Sequence, residues 1–593
     1  MFGVLITILV FQSFCTHAQI FSSPWNYKCT NGQCVKFEKI KNESISSLEA
    51  CQLICGDGGL WPKPTGPYYI GNSLVNLNPS KIKLHMINST SVAGVLLKRK
   101  VNALKINLKK LVRNPRRLGG LGLDIYIKGL INSSDVTLRL STKENYKLKI
   151  NKRRSSVSVI IRGENYFGVR NALETLSQLI VFNDFVDKIQ IATNASIIDG
   201  PVYPYRGILL DTSRNYISKE EILKTIEAMG MSKLNTFHWH LSDSQSFPYV
   251  SRSRPNMSRY GAYSSKKIYT DKDIKEIINF GIYQGVRVIP ELDAPAHVGE
   301  GWQWVGDDAL ACFRAEPWPS YCQEPPCGQL NPASDRVYEV LESLYKDLMD
   351  DFKPVIFHMG GDEVNINCWN SSESIRKFVS KKGWSLDASG FVKLWNLFQQ
   401  RAYDKLKLAG GGEEVKAVLW TSKLTDENNI EYLDPDKYII QIWTAVYDQT
   451  IRRLLQNDFQ VIFSNYDALY LDCGFGAWIG EGSNWCSPYK GWKRIYENSP
   501  LKIVENHGVE NKKHLILGGE AALWTEQVDS TSVDSRLWPR SAALAERLWA
   551  EPSSSWKNAE SRMLRHRERL VNRGILADSL EPEWCRQNPG NCT

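Results

Sequence analysis

From Tyr205 onward the chain repeats one pattern: a short apolar, strand-like run, a longer stretch with apolar residues at helical spacing, then another run. Eight runs stand out, at residues 207–210, 236–241, 286–289, 355–359, 417–420, 438–443, 460–464 and 514–517. Helical patterns at 218–231, 271–283, 337–352, 391–408 and 450–455 separate several of them, and two more, 532–550 and 556–573, follow. Eight alternations predict an α/β fold closed as a (β/α)8 TIM barrel. A doubly wound open sheet would show the same alternation. The barrel is preferred because polar or aromatic residues follow nearly every run: Asp211, Arg214, Asp243, Glu291, Asp293, Asp362, Glu363, Trp443, Tyr470, Asp472, Trp524 and Glu526. In a barrel such strand ends converge on one mouth, so residues far apart in sequence would line one pocket.

Upstream the texture differs. Residues 66–200 mix β-rich stretches such as 136–140 and 157–161 with a helix-like segment at 166–181, which predicts a small α+β domain ahead of the barrel. Four parts are expected: a signal peptide at 1–18, a cysteine-clipped segment at 19–65, the α+β domain at 66–200, and the barrel with a clipped tail at 201–593. The leader rests on an apolar run from Phe2 to Phe11, too short to span a membrane, followed by Thr16-His17-Ala18, which suits cleavage after Ala18. No later stretch is long and apolar enough for a membrane span.

Cysteine usage agrees with export to the extracellular space, with the lysosome as the alternative. Without Cys15, twelve cysteines remain in local groups: Cys29, Cys34, Cys51 and Cys55; Cys312, Cys322, Cys327 and Cys368; Cys473 and Cys486; Cys585 and Cys592. An even number so grouped predicts short-range disulfides. The histidines do not interleave with them as a zinc site requires, and no metal or cofactor is expected. Sequons for N-glycosylation begin at Asn42, Asn88, Asn132, Asn194, Asn256 and Asn370, with a weaker one at Asn591. The net charge of +9 is spread along the chain, and the basic stretch Lys98-Arg99-Lys100 with Lys109, Lys110, Arg113, Arg116 and Arg117, which could attract polyanions, reads as a solvated face. No nucleic-acid partner is expected.

The strongest local signal is Phe357-His358-Met359-Gly360-Gly361-Asp362-Glu363-Val364, a strand running into two glycines and two adjacent acids. On a regular strand neighbouring carboxylates point to opposite faces, so both can serve one pocket only if the backbone turns here. Around it stand Arg206-Gly207-Ile208-Leu209-Leu210-Asp211-Thr212-Ser213-Arg214, His238-Trp239-His240-Leu241-Ser242-Asp243 and Pro290-Glu291-Leu292-Asp293-Ala294-Pro295-Ala296-His297. His238 and His240 share a strand face, but nothing else in the sequence marks them as metal ligands.

These motifs resemble, in order and position, those of glycoside hydrolase family 20, from about residue 66 to 575. Within the family the chain resembles insect members that degrade chitooligosaccharides, through its paired-cysteine start and the Cys322 to Cys327 loop. The resemblance implies an exo-acting, retaining β-N-acetylglucosaminidase and a homodimer. It also implies substrate-assisted catalysis, in which the sugar's own 2-acetamido oxygen attacks the anomeric carbon. Glu363 would protonate the departing oxygen and later activate water, Asp362 would hold the acetamide N–H, and Tyr470 would hydrogen-bond the acetamide oxygen. Asp243 and His297 would form a relay adjusting Glu363. Arg214, Asp472 and Glu526 would take the hydroxyls, Trp443, Trp478 and Trp524 would grip the acetamide methyl with Trp420 alongside, and Trp485 would stack on the next sugar. Gln323 departs from the pattern, standing where chitin-degrading members carry an apolar residue facing that tryptophan. A general acid has to start protonated, which burial of Glu363 beside Asp362 would favour.

Overall fold

The computed structural model describes residues 23–40, 44–56, 58–87, 90–113, 119–129, 134–588 and 591–592. The expected leader and the sequons at Asn42, Asn88 and Asn132 lie outside them. Eight parallel strands close a barrel: β1 (Tyr205–Asp211), β2 (Thr236–His240), β3 (Arg287–Glu291), β4 (Phe357–His358), β5 (Ala417–Trp420), β6 (Tyr438–Ile442), β7 (Gln460–Phe463) and β8 (Ile516–Leu523). β8 returns to pair with β1, so the closed alternative holds over the open sheet.

Local chemistry sets the helices between strands. Asp271–Gln284 starts on a reciprocal cap between Thr270 and Asp273 and stops at Gly285, whose left-handed backbone (φ 75°) a glycine adopts without strain. The segment expected as one helix at 532–550 is two, Val533–Leu537 and Arg540–Ala550, because Pro539 has no N–H to continue the ladder. β8 also departs from expectation. Residues 514 and 515 belong to a 3-10 turn, Glu510–Leu515, and the strand runs on through Gly518-Gly519-Glu520-Ala521-Ala522. Small side chains hid it, and they are required there, since a Cβ on Gly518 would sit 1.8 Å from the Tyr205 carbonyl.

Inward-facing positions, two apart on each strand, fill the barrel in layers. The lower layer is apolar: Tyr205, Ile289, Ile356, Val418, Ile439, Ile462 and Leu517 form one buried cluster. Two residues further along the strands stand Glu291, His358, Gln441 and Ser464, with Trp420 in the same ring, and Glu520 joins them three residues beyond Leu517, past an irregularity in the β7–β8 pairing; all are buried. Gly207 makes room for this layer, because a Cβ there would lie 2.3 Å from Glu520 Oε2.

Ahead of the barrel an eight-stranded mixed sheet spans Tyr68–Ile70 to Asn194–Asp199, with helices Val92–Leu111 and Tyr166–Gln178 packed side by side on it. Residues 136–140 form no strand, and the helix expected to reach 181 ends at Gln178, with Ile180–Asn183 already a strand. Lys100 leaves the solvated face expected for its stretch and lies over the Tyr283 ring, 4.1 Å from its centroid.

A buried ion pair ties this region to the barrel. Arg206 on β1 donates to both oxygens of Glu144 at 2.9 and 2.8 Å, and to the carbonyls of Lys233 and Tyr203. Arg206→Met is expected to destabilise the protein by about 3–5 kcal/mol, because Glu144 would stay charged and buried without its cation. A denaturant midpoint unchanged from the wild type would refute this.

Six disulfides join the twelve cysteines, as Cys29–Cys55, Cys34–Cys51, Cys312–Cys368, Cys322–Cys327, Cys473–Cys486 and Cys585–Cys592. Of the described sequons, Asn194 is exposed on a strand, Asn256 opens a short helix and Asn370 lies in another, the latter two half-buried. No helix among the described residues is long and apolar enough to cross a membrane.

Candidate active site

Past β4 the chain does turn. Gly360 and Gly361 take φ of 65° and 91°, and Glu363 itself sits at 48°, a strained value for a side chain other than glycine. Asp293 occupies the space a Cβ on Gly360 would need and accepts the Gly361 N–H at 2.9 Å. The turn delivers Asp362 and Glu363 to one cavity of about 500 Å3 at the C-terminal mouth. Asp362 Oδ1 is enclosed and has no hydrogen-bond partner among the described residues. Burial, with help from Glu363 and Glu291 and against the pull of His297, pushes its carboxyl up to about 7. Glu363 is not buried as expected: its side chain is 30% exposed at the pocket edge.

His297, also at positive φ (56°), bridges Asp243 and Glu363, with Nδ1 3.3 Å from Asp243 Oδ1 and Nε2 3.3 Å from Glu363 Oε2. Burial opposes a charge on His297, but the carboxylates around it prevail and hold its pKa well above the ordinary imidazole value. Asp243 is held well below the carboxylate range: burial works against this, and Arg214 and His297 outweigh it. Arg214 contacts Asp243 at 2.6 Å and Glu324 at 2.9 Å, with its guanidinium over the Trp524 ring at 5.1 Å.

Trp443, Trp524 and Tyr470 line the pocket with Trp478 and Trp485, which come from the loop clipped by Cys473–Cys486. Asn484 braces that loop, donating to the Asp472 carbonyl at 2.8 Å and accepting the Gly474 N–H at 2.9 Å. Trp485 is 66% exposed and meets Trp443 and Tyr470 edge-on. Asp472 and Glu526 lie near Arg214, and burial raises both, Asp472 to about 7. Gln323 lines the same cavity, on the loop closed by Cys322–Cys327.

Residues 203–552, the barrel with its mouth, match the glycosyl hydrolase family 20 catalytic domain. The chain belongs to glycosyl hydrolase family 20. Over its full length it is 49% identical to the chitooligosaccharidolytic beta-N-acetylglucosaminidase of Ostrinia furnacalis, covering 98% of that protein. It is also 49% identical to the Bombyx mori protein of the same name, over 96% of this chain and 95% of that one. The fold matches the family 20 exo beta-N-acetylglucosaminidase of Vibrio harveyi with a TM-score of 0.69 at 21% identity, over 93% of this chain and 84% of that one.

Among the expected site residues of this family 20 hydrolase, Trp420 stands apart. It lies beneath the pocket, fully buried, its indole N–H on Glu291 Oε1 at 2.8 Å and its ring 6.0 Å from that of Trp524. Asp211 and Glu291, also at strand ends, face inward: Asp211 accepts from Ser213 and Thr525, and Glu291 belongs to the interior. Asp293 lines the pocket as its strand-end position predicted, and the pocket adds His240, Glu324 and Asn484, to which sequence reading gave no role. His240 stands inside a quoted motif and Glu324 directly after Gln323, and only their convergence singles them out. His238, Glu291 and His358 come close enough to share an ion; His358 Nδ1 accepts the Gly360 N–H and His238 Nδ1 faces Glu520 at 2.7 Å, while the Nε2 of each has no hydrogen-bond partner among the described residues.

Proposed function

We propose that this family 20 hydrolase is an exo-acting, retaining β-N-acetylglucosaminidase that releases terminal non-reducing N-acetylglucosamine from chitooligosaccharides by substrate-assisted catalysis. The observation that carries the mechanism is the turn after β4, which presents two consecutive carboxylates, one enclosed and one at the pocket edge beside His297, to a single aromatic-walled cavity. In the first step the 2-acetamido oxygen attacks the anomeric carbon, the glycosidic C–O bond breaks, and the Glu363 proton passes to the leaving oxygen. Asp362 accepts the acetamide N–H and faces the positive charge of the oxazolinium ion, while the Tyr470 hydroxyl donates to the attacking oxygen. In the second step Glu363 takes a proton from water, which opens the ring at the same carbon. Two inversions retain the configuration. Arg214, Asp472 and Glu526 bind hydroxyls, and Trp443, Trp478 and Trp524 enclose the acetamide methyl, as the family likeness suggests.

Trp485, exposed beyond the catalytic pair, takes the second sugar. Trp485→Ala is expected to lower kcat/KM on chitotriose roughly tenfold, as loss of one stacked ring allows, and to spare a monosaccharide aryl glycoside. Equal losses on both would refute the second subsite. Secretion is part of the reading, supported by the six disulfides and the sequons. A homodimer is supported by family likeness, and light scattering tests it.

The deciding experiment compares hydrolysis of chitotriose with that of a biantennary N-glycan ending in N-acetylglucosamine, with products followed by mass spectrometry. Stepwise monosaccharide release mainly from chitotriose supports the reading. Preference for the glycan would assign the enzyme to glycan trimming, the outcome the polar Gln323 in the Trp485 pocket makes worth testing, and no release from either would leave a sugar-binding protein.

A further inference from the structure

The relay beside Glu363 does not end at Asp243. His240 Nε2 lies 3.1 Å from Asp243 Oδ2, and its Nδ1 lies 2.6 Å from Glu291 Oε2. Glu291 Oε2 meets His238 Nε2 at 3.0 Å, and His238 Nδ1 meets Glu520 Oε1 at 2.7 Å. We propose that the row Glu520, His238, Glu291, His240, Asp243, His297 is a fixed stack of alternating charge that sets the proton affinity of Glu363 from within the barrel, with His238 and Glu520 as positioning residues. This rests on the reading of Glu363 as the general acid.

Three carboxylates alternate with three imidazoles. Burial opposes a charge on each imidazole, yet the flanking carboxylates hold His238 up to about 9 and His240 well above its ordinary value. Glu291 is held well below the carboxylate range against burial, by His358, His240 and His238. The histidine beside the row, His358, stacks on His238 at 4.4 Å; its Nδ1 accepts the Gly360 N–H and lies 3.0 Å from Glu291 Oε1, and burial lowers its pKa against the pull of Glu291. Other groups face the row. Tyr205 and Gln441 donate to Glu520 at 2.5 and 2.6 Å. Arg214 lies 3.4 Å from His240 and 3.5 Å from His297, Asp211 and Asp293 lie near His240, and Asp362 near His297.

Barrel interiors are ordinarily filled by branched apolar side chains, and buried ion pairs rarely add stability over apolar residues of the same size. Six charged groups in this position therefore ask for a functional reason, and the row's upper end supplies one by terminating at Glu363. Its lower end stops at Tyr205 and the apolar layer. With Glu520, His238 and Tyr205 buried at its lower end, the row acts as static charge and not as a proton channel.

The test is the basic limb of the pH profile of kcat/KM. His238→Gln removes a positive charge, so Glu363 keeps its proton to higher pH and the limb moves up by about half a pH unit; Glu520→Gln removes a negative charge and moves it down by a similar amount. A purely structural role would lower activity in both without shifting the limb. Superimposed profiles, or shifts of the same sign, overturn the proposal. The limb is assigned with Glu363→Gln on an activated aryl glycoside: if it persists there, the general-acid reading fails, and if it vanishes while the two variants do not move it, the row fails. Should either variant not fold, 15N spectra of the histidine-labelled wild type decide. His238, His240 and His297 must be doubly protonated at pH 8 and His358 singly, and any one of the three found neutral overturns the proposal.

Discussion

Glu363→Gln is expected to lower kcat on chitotriose by about 10³–10⁴, the upper part of the range for loss of a positioned acid and base, while a non-hydrolysed analogue binds with nearly unchanged affinity. Glutamine keeps the shape of the side chain, can hold the strained turn, and still offers an oxygen to His297, so the substitution removes the proton and little else. On the proposed mechanism both steps suffer, because the same carboxyl gives a proton to the leaving oxygen and then takes one from water. A substrate whose leaving group departs without protonation should recover part of the first step, so the deficit on an activated aryl glycoside is expected to be smaller than on chitotriose. Full activity on chitotriose would remove Glu363 from the mechanism, and equal deficits on both substrates would limit its part to the second step.

For Asp362→Asn a fall in kcat of about 10²–10³ is expected, comparable to removing one preorganised charge-stabilising group from other active sites. Asparagine matches the volume but loses the anion that faces the oxazolinium ion. A rise in KM with kcat unchanged would mean that Asp362 binds ground state and transition state alike, which counts against its orienting role. The pH dependence supplies a second check. With its pKa raised to about 7, Asp362 is an anion above that pH and gains a proton as the pH falls through it. Since kcat/KM reports the free enzyme, its acid limb should begin above the ordinary carboxylate range. A profile flat from pH 7 down to pH 4 would contradict the assignment.

The barrel was legible because its strands begin as short apolar runs and its helices carry their caps in the sequence, as at Thr270 and Gly285. The double glycine before Asp362 likewise announced a turn that a strand could not make. What stayed hidden depends on closure. Glu520 lies in a run of glycines and alanines that reads as no element at all, and it meets His238 only because β8 folds back on β1 beside β2. His240 and Glu291 are ordinary strand residues until the strands set them 2.6 Å apart. Trp420 ends its strand like the pocket tryptophans, but inward rotation places it one layer lower, on Glu291. In the first cysteine group spacing allowed three pairings, and the hairpin that sets Cys29 opposite Cys34 sends each to a helix-borne or helix-ending partner, Cys51 or Cys55.

The apolar layer under the polar one has a consequence for traffic. The buried layers close the cavity from beneath, so on the proposed exo-acting reading the sugar that is cut off lies deeper than the chain it came from. The shortened chain has to withdraw before the monosaccharide can follow, and no neighbouring unit can slide inward meanwhile. Each cut is then a separate encounter: products leave in fixed order, free N-acetylglucosamine competes with the incoming chain end, and intermediates of every length accumulate in solution instead of one chain being consumed to its end.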